Sequence, residues 1–299
     1  MENDGWRCAA FIRADTVFLQ SRSQKSLGQY FPDVLGHLAG LPAGSVLDGE
    51  LIFFDRQAGR TSFSALQRRV TAGRELAREA RARPATFVAF DLLHDADIGD
   101  LRDLPLAQRR ARLEALFADA PTALQLCPQT MDHDEALLWL DAHLPLGCEG
   151  LVIKDLSGRY RRTGWWKYKL KETVEAIVGG LAGTALSPTV LLPGRRDDRG
   201  RLRYVGRTSA LTAPQRREIA AAAVPVAPEG RHPWPRPLPV AWSGQLGPRE
   251  PIDYLPVKPL LVAEVIVDQA YEAGRWRHPI QFLRLRADLD PADVERWRP

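Results

Sequence analysis

Three short segments carry carboxylates and lysines of the types, and at the spacings, that phosphate chemistry uses. Asp48-Gly49-Glu50 places a carboxylate directly after a glycine, where a missing side chain lets a ligand come close to the backbone. Glu149-Gly150-Leu151-Val152-Ile153-Lys154 sets an acid and a base near the two ends of a short apolar run. Trp165-Trp166-Lys167-Tyr168-Lys169 alternates, so a strand sends Lys167 and Lys169 to one face. Two carboxylates can hold Mg2+ or Mn2+ and three lysines can hold phosphates. Together they offset the charge that builds on a phosphorus centre during in-line displacement. Each segment alone also fits a structural strand end or a solvated lysine pair; the combination points to nucleotidyl transfer.

Charge placement points the same way. The 41 Lys+Arg and 37 Asp+Glu leave only +4 overall. Between Arg159 and Arg207, however, twelve Lys/Arg stand against four acids, a net +8, so the rest of the chain sums to −4. Tyr160, Trp165, Trp166 and Tyr168 interleave with this segment, which suits phosphate neutralisation combined with base stacking. A solvated basic face with core aromatics is the plainer alternative.

The elements that must position these groups can be outlined from periodicity. Residues 45–54 resemble a strand pair around a glycine and 86–93 another strand, while 63–81, 106–117 and 134–144 have helical spacing of Leu and Ala. The first half is therefore α+β with antiparallel strands. After Lys171, apolar runs between 174 and 205 are broken by Gly180, Gly183, Pro188 and a charged turn from Gly194 to Gly200, a pattern suited to a small barrel. Residues 210–223 read as a helix and 260–267 as a strand. Between Pro225 and Pro259 ten prolines fall in 35 residues, which predicts an extended loop without regular elements. The change of texture places a domain boundary at residues 171–173, giving domains 1–171 and 172–299.

Several classes are excluded. Three cysteines (Cys8, Cys127, Cys148) are too few and too scattered for a disulfide framework or a zinc ribbon, which favours a reducing compartment. The N-terminus shows no basic region followed by an apolar run, hence no signal peptide. The uncharged stretch 176–194 carries four glycines and two prolines and reads as strands and turns rather than a membrane helix. His37, His94, His133, His143 and His232 lack metal-ligand spacing, His278 has no evident acid/base partner, and Cys148 reads as packing.

Taken in order, the motifs resemble the ATP-dependent DNA ligases of the compact bacterial type, which are covalent nucleotidyltransferases. The resemblance rests on Asp4-Gly5-Trp6-Arg7, Ser21-Arg22-Ser23, Asp48-Gly49-Glu50, Phe90-Asp91-Leu92-Leu93, Glu149 to Lys154 and Trp165 to Lys169. It extends through Tyr204-Val205-Gly206-Arg207 and Arg277-His278-Pro279 to Arg284-Leu285-Arg286-Ala287-Asp288. It implies an antiparallel-sheet nucleotidyltransferase (ATP-grasp-like) domain followed by a small β-barrel OB-fold domain. The implied reaction has three steps: a lysine takes AMP from ATP, AMP passes to the 5′-phosphate of a nick, and the 3′-hydroxyl displaces AMP.

The resemblance also implies roles. Phe90 would stack on adenine, Arg7 contact the ribose, Glu50 hold the ribose or metal region, and Glu149 bind the divalent metal. Lys154, Lys167 and Lys169 would hold the α-phosphate region and Arg22 sit near phosphate. Arg286 and Asp288 would come from the barrel as it closes over ATP about a hinge at Lys171-Glu172-Thr173. Arg159, Arg161, Arg162, Arg195, Arg196 and Arg207 are the implied DNA contacts. The implied partner is nicked double-stranded DNA, bound by a monomer in the bacterial cytoplasm and nucleoid, with other repair proteins as further partners and no membrane.

The chain departs from the family pattern in two places. The nucleophile motif reads Lys-x-Asp-Gly-x-Arg, and here Glu2 stands where the lysine belongs. A carboxylate forms no stable phosphoramidate, so the chain as written is expected not to self-adenylate. The family's leading strand ahead of the lysine is also missing, which leaves open an upstream start or a degenerate ligase. Leu289 stands where many ligases carry a lysine that orients pyrophosphate. A pseudo-ligase that binds nicked DNA or nucleotide without loading AMP is the alternative function; RNA ligation or capping is a weaker third.

Overall fold

The computed structural model describes residues 2–3, 5–160, 164–224, 232–242 and 251–298. Two compact units divide the chain, Met1–Lys169 and Leu170–Pro299.

In the first unit the strands, in chain order, are β1 (Glu2–Asn3), β2 (Trp6–Ile12), β3 (Val17–Ser21), β4 (Val46–Ile52), β5 (Phe54–Asp55), β6 (Arg60–Thr61), β7 (Thr86–Asp95), β8 (Gly99–Asp100), β9 (Leu124–Leu126), β10 (Cys148–Lys154) and β11 (Trp165–Lys169). Its helices are α1 (Pro32–Leu38), α2 (Phe63–Thr71), α3 (Leu76–Ala82), α4 (Leu106–Leu116) and α5 (His133–His143). The main sheet runs β3-β2-β4-β7-β8 with β9 added parallel to β7, and a second sheet runs β1-β10-β11.

Strand alternation builds the core. Cys8, Ala10 and Ile12 of β2, Leu47 and Leu51 of β4 and Phe87 and Ala89 of β7 are buried together with Val34, Leu38, Phe63, Leu66 and Leu113 from the helices. Asp48 and Glu50, the intervening residues of β4, therefore share the opposite face. Gly49 is required within the strand: a Cβ there would lie 2.4 Å from the Phe87 ring and 2.7 Å from the Val88 carbonyl. The expected strand pair over 45–54 is thus essentially one strand, with Gly49 passing over a core phenylalanine rather than turning the chain.

Other expectations are corrected. The helix over 63–81 is broken at Gly73, whose φ of +51° ends α2 before a 3-10 turn at Gly73–Glu75 leads into α3. α1 begins on Pro32, with Asp33 in its first turn, and was not anticipated. α4 and α5 lie close to their expected ranges, α5 being capped by the Asp132 carboxylate on the Asp134 and Glu135 amides.

The second unit contains β12 (Lys171–Thr184), β13 (Ser187–Arg196), β14 (Leu202–Tyr204), α6 (Ala213–Ala222), β15 (Leu255–Pro256), β16 (Val262–Asp268), β17 (Tyr271–Glu272), β18 (Arg275–Trp276) and β19 (Gln281–Leu285). The sheet order is β14-β13-β12-β16-β19, all antiparallel, with β15 against β12 and irregular registers along β12 that curl the sheet in OB-fold manner. Lys171-Glu172-Thr173, the expected hinge, already pairs in register with Asp268, Val267 and Ile266. The proline-rich segment does more than loop. Trp234, Leu238, Tyr254 and Val257 are buried, the Trp234 ring occupying the space left by Gly179 and Gly194, and β15 and the 3-10 turn Val240–Trp242 are regular. Prolines do not prevent this, because large aromatic areas can be buried without continuous backbone pairing. Among the described residues no helix is long and apolar enough to cross a membrane.

Candidate active site

Five strands of the first unit, β2, β4, β7, β10 and β11, bring their motif residues together. Arg7 on β2 lies across from Glu50 on β4, and its guanidinium donates to both Asp48 oxygens, Nε to Oδ1 at 3.3 Å and Nη2 to Oδ2 at 2.7 Å. The Tyr160 hydroxyl donates to the same Asp48 Oδ2 at 2.6 Å. Asp48 thus ties a strand near the N-terminus, 41 residues before it, to a loop 112 residues after it. Burial pulls against the Arg7 charge, but Asp48 outweighs it and holds the guanidinium more firmly protonated than usual. Burial and then the neighbouring Asp48 push the Tyr160 phenol up, which keeps it a donor.

A bulge aims the aromatic group. Asp48 faces Asp91 and Gly49 faces Ala89, so Phe90 is the extra residue of β7 and leaves the alternation of its neighbours. Its half-buried ring lies 5.4 Å from the Arg7 guanidinium, 4.7 Å from Lys154 Nζ and 6.1 Å, edge-on, from Trp165. Lys154 and Trp165 are direct cross-strand partners of β10 and β11, which puts Lys154 Nζ 3.9 Å from the Trp165 ring. Burial lowers the Lys154 pKa, with Asp91 and Asp48 opposing the shift. A flat group stacked on Phe90 would meet the positive charge of Arg7 and Lys154 at that ring.

The loop after β10 is held from below. Asp91, fully buried, takes a two-pronged salt bridge from Arg109 of α4 at 2.8 and 3.0 Å. Arg109 also donates to the Leu104 and Gly158 carbonyls, while the Leu106 and Tyr160 amides bond to Gly158 and Arg102. These bonds deliver Tyr160 to Asp48.

The acid and lysines of the β1-β10-β11 sheet form a second group. Glu149, 5% exposed, pairs with Lys169 at 2.8 Å. Lys167 is exposed and alternates onto the Lys169 face of β11. Gly150 must be glycine, since a Cβ would sit 2.3 Å from the Tyr168 carbonyl. The backbone of Glu2 pairs with Gly150, which places position 2 in line with Lys169 across the sheet. Among the described residues no group of three His, Cys, Asp or Glu could hold a metal ion unaided.

Arg22 is exposed on the turn after β3. Arg286 and Asp288 belong to the second unit, where Arg286 forks onto Asp288 at 2.9 and 2.7 Å and reaches Glu175 at 3.2 Å. The Arg286 guanidinium holds the Asp288 carboxyl down at about 2. Asp4, Arg161 and Arg162 fall outside the described residues. Arg159, exposed, approaches Asp103 at 3.4 Å, Arg196 donates to the Gly200 carbonyl at 3.0 Å, and Arg207 is half-buried.

Arg195 departs from its expected role as a DNA contact. It is 6% exposed, lies over Trp276 and is paired with Glu295 at 2.8 Å, at the end of a stretch of β13 buried without a break from Leu191. His278 does have an acid partner, Asp268 at 2.6 Å. Leu289 packs on the core cluster around Trp234, where its apolar side chain is used. Sequence reasoning missed Asp48 and Tyr160 as the shared anchor and Asp91–Arg109 as its support; both acids stood inside motifs already singled out.

Comparison with known proteins gives a consistent answer. Residues 2–169 match the model of the ATP dependent DNA ligase domain family. DNA ligase C2 of Mycolicibacterium smegmatis is 32% identical over 306 residues, covering 96% of this chain and 85% of the relative. The multifunctional non-homologous end joining protein LigD of Pseudomonas aeruginosa is 32% identical over 99% of this chain and 34% of its own length. A solved structure from a structure-function study of Lig E DNA ligases shares the fold, with a TM-score of 0.56 and 17% identity over 95% of this chain and 90% of that one.

Proposed function

The chain belongs to the ATP-dependent DNA ligase family, and from that premise we propose that it seals nicked duplex DNA from the adenylated strand onward, with Glu2 impairing the step that loads AMP onto the protein. The observation that carries this reading is the convergence of Arg7, Asp48, Phe90, Lys154 and Trp165 in one cluster of contacts, with a Glu149–Lys169 pair in line with position 2.

In this reading the adenine stacks on Phe90, and Arg7, oriented by Asp48 and Tyr160, meets the ribose together with Glu50. Lys154, Lys167 and Lys169 hold the phosphate. Glu149 and Glu50 would hold a divalent ion, which supplies charge neutralisation at the phosphates when bound. In sealing, the 3′-hydroxyl oxygen attacks the 5′ phosphorus of the adenylated strand. The new P–O ester forms as the P–O bond to AMP breaks; AMP leaves with the electron pair and the hydroxyl proton passes to solvent. The lysines stabilise the charge on the phosphorus oxygens and on departing AMP.

Self-adenylation needs a nitrogen lone pair at the phosphorus, and a carboxylate at position 2 offers like charge instead. That feature favours a second reading, a protein that binds nicked DNA or nucleotide without chemistry. A nick already carrying 5′-AMP, compared with an ordinary nick plus ATP, separates them. We expect the first to be sealed and the second not. Sealing of both overturns the role given to Glu2, and tight binding with sealing of neither favours the binding protein.

A further inference from the structure

Residues 56–83 carry eight arginines against two glutamates, a net +6. Two of the eight are used internally. Arg69 is 1% exposed, forks onto Asp33 of α1 at 2.7 and 2.9 Å, lies over the Phe31 ring and donates to the Arg83 carbonyl. Arg83 pairs with Glu79. The Arg69 clamp fixes the roll of α2, and Arg68, one position earlier, is left exposed.

Past the break at Gly73, Arg74, Arg78 and Arg81 recur at i, i+4 and i+7 through the 3-10 turn and α3. Arg78 and Arg81 share one face of α3, Arg74 precedes it in the 3-10 turn, and all three residues are exposed. Arg78 has a partner in Glu75 at 3.1 Å, but both side chains are more than half exposed, a pair that solvent and salt readily screen. Among the described residues no carboxylate pairs with Arg68, Arg74 or Arg81. At 1.5 Å per residue the row spans about 10 Å, comparable to three phosphates on one strand of a duplex at about 3.4 Å each. Every cation in the row is an arginine, whose planar fork fits phosphate oxygens.

The row is built onto the element that leads from the candidate site. Thr61, just before α2, bonds through its amide to the Leu146 carbonyl and through its hydroxyl to Gly147, two residues from Glu149. Phe63 packs at 5.9 Å on Trp6, the neighbour of Arg7.

We propose that Arg74, Arg78 and Arg81, flanked by Arg68, form a contact surface for the phosphate backbone of duplex DNA beside the break. This rests on the ligase reading and adds a surface outside the nucleotide pocket. The contacts are sequence-independent and act on affinity rather than on the chemical step.

The test is nicked-duplex binding by fluorescence anisotropy across a salt series, with sealing of a pre-adenylated nick as the second readout. The triple variant Arg74→Gln, Arg78→Gln, Arg81→Gln should lower the slope of log K against log salt by about 3, near 0.9 for each lost contact. The wild type should then lose about 40-fold more affinity than this variant between 50 and 200 mM salt. The triple arginine-to-lysine variant should keep the slope. Sealing at saturating protein should be unchanged in both.

An unchanged slope in the glutamine variant overturns the surface and makes the row a solvated face. A wild type that seals the adenylated nick, beside a variant with that unchanged slope, removes the surface alone. A wild type that neither binds nor seals removes the ligase reading and the surface together. Should the triple glutamine variant lose its circular dichroism, the three single variants, each expected to lower the slope by about 1, decide the matter.

Discussion

Two arginine-rich stretches spend their charge in opposite ways. Residues 195–207 hold six arginines and two aspartates, and 56–83 hold eight arginines and two glutamates. In the first, β13 and β14 fold back on each other, and the turn between them puts Asp197 among its own cations. Arg201 and Arg203 donate to it at 3.0 and 2.8 Å, the Arg199 and Arg201 amides bond to it, Arg195 goes inward to Glu295, and Arg196 closes the turn on Gly200. In the second, one arginine anchors the helix and a row of others is left facing solvent. A hairpin converges side chains on its turn, whereas a helix spreads every third or fourth residue along one face. Net charge in a sequence therefore bounds what a surface can attract, and the local fold sets how much remains available.

The contrast can be broken at three points. The largest effect is expected at Arg69, whose loss leaves Asp33 without its fork: Arg69→Met should cost about 3–5 kcal/mol in urea unfolding. A cost under about 1 kcal/mol would mean that the clamp does not set the roll of α2.

Next comes Asp197→Asn, which releases Arg201 and Arg203. Nicked-DNA affinity at low salt should rise several-fold, and no change would show that the hairpin faces away from DNA. The same variant has a pH signature. Burial pushes the Asp197 carboxyl up, but the Arg201 amide and the Arg203 and Arg201 guanidiniums win and hold it down at about 2. A depressed carboxyl contributes stability above the ordinary carboxylate range, and this is lost as pH falls through about 2. Wild type and Asp197→Asn should therefore converge in stability in strong acid and separate above it.

The smallest effect belongs to Glu75→Gln. Losing this exposed partner of Arg78 should shift unfolding by less than about 0.5 kcal/mol. A larger loss would make the pair structural and weaken the view of the row as open cation surface.

Much of the site was legible before any coordinates. Lys167 and Lys169 alternate as their strand requires, and Glu149 and Lys154 sit on the expected β10. The buried Arg195 was not legible, since β13 is buried without alternation from Leu191 to Arg195 and its partner Glu295 lies 100 residues on. Nor was the single strand through Gly49: a glycine in an apolar run suggests a turn until the phenylalanine beneath it is known.

Residue types, order and period of two dictate that two lysines share a face of β11 and that an acid and a lysine stand near the two ends of β10. Those are local properties carried by neighbours along the chain. Which acid organises the cluster, which aromatic ring joins it and which arginines stay in solvent depend on partners such as Arg7 and Asp48, or Asp48 and Tyr160, that are 41 and 112 residues apart. Bulge placement, strand register and the Arg69–Asp33 clamp choose those partners. Each is a balance of packing and buried charge that no single segment contains.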